Sequence, residues 1–127
     1  VTLVGCGLMV EVAMKAAEEL KKEGINAAVI NAYCIKPLAE NVILEYAKKT
    51  KAMVTVEDHS VIGGLGAAVA QVTSAKCPAV VRTVGVQDRF GESGLQDDLF
   101  EKYGLTAQHI VEEAKKAIAI KEGKANV

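Results

Sequence analysis

Short unbroken apolar runs alternate along this chain with longer stretches in which apolar residues recur every three or four positions. The run Val54-Thr55-Val56 is β-branched and lacks polar alternation, the pattern of a strand buried on both faces. Val1 to Cys6, Ala27 to Asn31, Ala52 to Glu57 and Ala79 to Val84 are all predicted as strands. Met9 to Glu23 instead places Met9, Val12, Ala13, Ala16, Ala17 and Leu20 on one helical face, with Glu11, Lys15, Glu18, Glu19, Lys21 and Lys22 mostly outside it, and Gly24 as the stop. The turn Ile35-Lys36-Pro37-Leu38 precedes a helix from about Ala39 to Lys49, and a helix of small residues spans Ala67 to Ser74. Gly85 to Gly94 reads as a long loop of mixed charge. Leu95 to Tyr103 follows as a short helix stopped by Gly104, and Thr106 caps a last amphipathic helix to about Ile120, with Lys121 to Val127 as a frayed tail. Strands alternating with helices make βαβ units. Their right-handed crossovers lead to an α/β fold of three layers, α/β/α, around a mainly parallel sheet.

Composition narrows the picture. A chain of 127 residues is long enough for one continuous core, so residues 1–127 are expected to form a single domain. It has no initiator methionine and begins within an apolar segment, which suggests a domain drawn from a longer polypeptide. The formal net charge of -1 lacks the basic footprint of a nucleic-acid binder. No apolar run reaches the roughly eighteen residues of a membrane span, and no secretion leader is evident. Cys6, Cys34 and Cys77 lie far apart without a C-x-x-C pair, so neither a zinc site nor a disulfide framework is suggested, and a reducing cytoplasm fits best.

Candidate chemistry gathers behind the third strand, where Glu57, Asp58 and His59 precede Gly63, Gly64 and Gly66. In a wound sheet this loop stands at the carboxyl edge of the strands, and the helix start beyond it offers unpaired amides to an anion. Arg89 in the later loop is a second candidate contact for the same anion. Two readings stay open: an anion site or interface, or carboxylates that cap the following helix while the glycines pack it closely on a strand. Gly5-Cys6-Gly7-Leu8-Met9-Val10 imitates the start of a dinucleotide fingerprint. Its third glycine is replaced by Val10 and the second strand ends in Asn31 rather than an acid, so a tight strand-to-helix turn explains it better. Gly91-Glu92-Ser93-Gly94-Leu95 departs from a nucleophile elbow at Leu95, and the adjacency of Asp58 and His59 suits a catalytic triad badly. His109 is the only other histidine, too little for a multi-histidine metal site.

Several spaced segments in one order carry a resemblance. They are Ile35-Lys36-Pro37-Leu38, Val54-Thr55-Val56-Glu57-Asp58-His59 with Gly63-Gly64-Leu65-Gly66, Phe90-Gly91-Glu92-Ser93-Gly94, and Tyr103-Gly104-Leu105-Thr106. Together they resemble the carboxyl-terminal domain of transketolase over nearly the whole chain. Related domains close the deoxyxylulose phosphate synthases and the beta subunits of 2-oxo acid dehydrogenases; the segment from Phe90 to Gly94 looks most like transketolase. The resemblance implies a sheet order of 2-1-3-4, and an extra antiparallel edge strand for which no residues before Val1 remain. It also implies an enzyme of the pentose phosphate pathway that transfers two-carbon ketol units between sugar phosphates in the cytoplasm. In that family thiamine diphosphate and Mg²⁺ lie between a pyrimidine-binding and a diphosphate-binding domain. This chain lacks the Gly-Asp-Gly and paired asparagines of that metal site, so no catalytic, cofactor-binding or metal-binding residue is expected here, and the isolated domain is expected to be inactive. The implied role is to pack against the pyrimidine-binding domain and support a homodimer. Glu57, Asp58, His59, Gly63, Gly64, Gly66, Arg89 and Ser93 are the candidates for an interface or an anionic regulator. The alternative of another class is a free-standing interaction or anion-binding module. Ala39 stands where family members often carry an aspartate, which removes a good helix cap.

Overall fold

The computed structural model describes residues 1–32, 39–60, 64–86 and 105–124, with all their side chains except those of His59, Ser60 and Val86. Among these residues the predicted alternation appears as β1 (Thr2–Gly5), α1 (Met9–Lys22), β2 (Ala28–Asn31), α2 (Glu40–Thr50), β3 (Ala52–Ser60), α3 (Leu65–Lys76), β4 (Val80–Val86) and α4 (Ala107–Lys121). The strands lie in the order β2-β1-β3-β4, and the described pairings are parallel. The expected order 2-1-3-4 is therefore observed.

Residue alternation within the strands divides the interior into two layers. Leu3, Val54, Val56 and Val84 point to one face, where they pack with Met9, Ala13, Ala16 and Leu20 of α1 and with Ile110, Ala114 and Ala117 of α4. Val4 and Met53 point to the other, against Ile43 and Ala47 of α2 and Leu65 and Val69 of α3. Burying both faces of a parallel sheet requires β-branched runs rather than apolar-polar alternation, and β1 and β3 satisfy that requirement. At the middle of the sheet β1 feeds a crossover to one side and β3 a crossover to the other. Their carboxyl ends therefore flank the switch point at which wound folds place ligands and partners.

The helix ends follow local chemistry. Beyond α1, Gly24 has φ +79°, its amide donates to Lys21 O, and the Ile25 amide donates to Leu20 O. This paired arrangement closes the helix and brings Ile25 onto the core. The same device ends α4: Gly123 has φ +73° and the Lys124 amide donates to Ala119 O. Lys121 is thus helical, and 122–124 form a defined stop rather than part of a frayed tail. Thr106 caps α4 as expected, accepting from the His109 amide at 3.2 Å, whereas Ala39 before α2 makes no side-chain cap.

Several boundaries differ from the sequence expectation. β3 runs on to Ser60 instead of ending at Glu57, because Ser60 still pairs with Val86 across a register shift that follows Val56. β4 accordingly includes Gly85 and Val86, which were expected in a loop. α3 begins at Leu65, two residues before Ala67, because a buried carboxylate satisfies its first amides. The Ile35–Leu38 turn and the short helix predicted over Leu95–Tyr103 fall outside the described residues.

Candidate functional site

Glu57 is the centre of the carboxyl-edge site. On β3, Thr55 and Glu57 share the face that carries α3, while Val54 and Val56 face the opposite layer. The Glu57 side chain is fully buried. Its Oε1 accepts from the Leu65 amide at 2.9 Å and its Oε2 from the Gly66 amide at 2.9 Å. An anion on the first free amides of a helix gains both from charge-assisted hydrogen bonds and from the helix dipole, which offsets the cost of taking a carboxylate out of water. The two α3 amides that an incoming phosphate would seek first are therefore held by a group of the chain itself. Gly64, the residue before α3, is extended and makes no side-chain cap, so the capping task falls to Glu57 from across the loop.

Gly66 shows why the junction needs a glycine. A Cβ on Gly66 would overlap the Thr83 methyl and come within 2.7 Å of Thr55 Oγ1. The first turn of α3 sits so low on β3 and β4 that the Glu57 carboxylate reaches its amides directly. Thr55 Oγ1 is fully buried and has no hydrogen-bond partner among the described residues. Replacement with Val, which keeps the shape and removes the hydroxyl, is expected to leave stability unchanged or raise it by up to about 1 kcal/mol, read as a chemical-denaturation midpoint.

The other candidates divide by location. Asp58 follows on β3 and is exposed. His59 is placed in β3 by its backbone. Gly64 is buried beside Glu57's partners. Gly63, Arg89 and Ser93 lie outside the described residues, so their contacts with this site are not defined. At the end of β1, the Gly5-Cys6-Gly7 segment is a close strand-to-helix turn: a Cβ on Gly5 would lie 3.1 Å from Val10 Cα, and Gly7 has φ +62°. Cys6 donates its amide to Val56 O at 3.2 Å, tying the start of the β1–α1 turn to β3. Among the described residues no group of three or more His, Cys, Asp or Glu side chains is arranged to hold a metal ion.

A second polar cluster was not singled out from the sequence. Arg82 of β4 donates through Nε to Glu113 Oε2 of α4 at 2.6 Å, and Lys116 Nζ lies 3.4 Å from the other carboxylate oxygen. His109 Nε2 is 4.0 Å from the same oxygen, and His109 Nδ1 is 3.7 Å from Glu112. The signal was present: Glu113 interrupts the apolar stripe of Ile110, Ala114 and Ala117, and Arg82 interrupts a valine strand. Burial pushes the Glu113 carboxyl upward, but the hydrogen bond and charge of Arg82, with Lys116 behind them, outweigh it and hold the group below the ordinary carboxylate range. A depressed folded pKa contributes stability that is fully present above the unfolded value and lost as pH falls through the folded one. Glu113→Gln is therefore expected to cost about 2 kcal/mol near neutral pH, with the gap from the parent chain closing in acid below the ordinary carboxyl value. Thermal melts across that range check both points.

This geometry defines a class before it defines a family: a wound parallel α/β domain whose switch-point edge is closed by an internal carboxylate. The family model described as transketolase, C-terminal domain, matches residues 1–110. The chain belongs to that family. It is 52% identical over 114 residues to the 6-deoxy-6-sulfo-D-fructose transketolase subunit SqwH of Clostridium sp. (strain MSTE9), covering 90% of this chain and 35% of that protein. It is 37% identical to the 1-deoxy-D-xylulose-5-phosphate synthase of Heliobacterium modesticaldum, covering 100% of this chain and 20% of the relative. Among solved structures it superposes on a split gene transketolase, described as an inactive beta4 tetramer, with a TM-score of 0.90 and 48% identity over 94% of this chain and 39% of that one. Transketolase from Pichia stipitis superposes with a TM-score of 0.66 at 25% identity, covering 97% of this chain and 17% of that one. The chain thus spans well under half the length of these relatives.

Proposed function

We propose that this chain is a single domain of a longer or divided transketolase, in which it supports assembly while the chemistry of ketol transfer is housed in other domains. The observation that carries the reading is the 52% identity to a transketolase subunit of which the chain accounts for only 35%. A synthase of deoxyxylulose phosphate is the second reading, favoured by the match of the whole chain to such an enzyme at lower identity.

In this reading thiamine diphosphate and Mg²⁺ bind to the pyrimidine-binding and diphosphate-binding domains, and the enzyme is a cytoplasmic homodimer. This reading is supported by the Leu65 and Gly66 amides, which hold Glu57 and so are not offered to a diphosphate. An anionic regulator at this edge would have to use groups other than those two amides.

A contact with the remainder of the enzyme is also proposed along the outer edge of β2. All the apolar residues of this strand are only partly buried, unlike those of β1. Beside it an open cleft of about 490 Å³ is lined by Val10, Met14, Ala17, Glu18, Val29 and Asn31, and Met14 remains 54% exposed. A strand added at this edge would satisfy its outward backbone groups and cover the cleft. Because Met14 contributes little to the interior, Met14→Glu is expected to leave the chain folded while reducing its yield in complex at least several-fold.

Co-expression of the chain with the pyrimidine-binding and diphosphate-binding domains tests the reading. Ketol transfer that requires both components is the expected result. Ketol transfer by the chain alone, or full activity of the other domains without it, would refute it.

A further inference from the structure

We draw no further inference here: the strongest candidate, the partly exposed apolar cleft between α1 and the outer edge of β2, belongs to the interdomain contact already proposed, and nothing else in the structure shows what covers it.

Discussion

Glu57→Gln is expected to lower stability by about 2 to 3 kcal/mol, although glutamine has nearly the same volume. For a chain of this size that corresponds to a fall in Tm of roughly 10 °C. The Glu57 carboxylate faces two amide donors, Leu65 N and Gly66 N, with one oxygen on each. An amide side chain has only one oxygen, so its NH₂ group must meet the second N–H donor to donor. One helix amide is then buried without a partner, and the negative charge that favoured the helix start is gone. Glu57→Ala removes both acceptors and leaves a void, so its cost is expected to be larger still, about 3 to 5 kcal/mol. Urea or thermal denaturation of the two variants measures the difference. Equal stability of parent and Gln variant would show that the carboxylate merely fills space.

Gly66→Val is expected to be as damaging, by a different route. On an exposed helix, replacing glycine would help by up to about 1 kcal/mol through chain entropy. At Gly66 the added carbon meets the Thr83 methyl and Thr55 Oγ1. Helix α3 must then rise from the sheet, and a rise lengthens both hydrogen bonds to Glu57. Overpacking of this kind costs about 1 to 3 kcal/mol for a single methyl and more for valine. Gly66→Ala separates the two contributions. It should destabilise the parent chain, yet be largely tolerated once Thr83→Ala and Thr55→Ala have removed the atoms it strikes. That non-additivity, measured as a mutant cycle, is the signature of a steric cause. An additive result would contradict the steric cause, since Gly66 is helical and has no positive φ to strain a side chain.

Periodicity carried most of the architecture because the two layers impose it. Residues such as Leu3 and Val54 are buried against one layer and Val4 and Met53 against the other, so their runs are apolar throughout. The helices, exposed on one side, show the spacing of Met9, Ala13, Ala16 and Leu20. Helix stops were legible where a glycine with positive φ was required, as at Gly24. The candidate edge was legible as a place but not as a geometry. The sequence left two readings of Glu57 open, an anion site or interface and a cap for the following helix, and the fold supplies the cap through the Leu65 and Gly66 amides. The start of α3 was misplaced because its cap comes from outside the local sequence. The Arg82 and Glu113 pair joins residues 31 positions apart, beyond the reach of any local pattern. Val81 and Thr83 flank Arg82 in a strand whose apolar run hides which face each residue takes.

Titration of thiamine diphosphate, with Mg²⁺ present, into the purified chain and into its complex with the other two domains most directly tests whether cofactor chemistry lies elsewhere. No binding heat with the chain alone and saturable binding by the complex are predicted. Tight, stoichiometric binding by the chain alone would contradict the account.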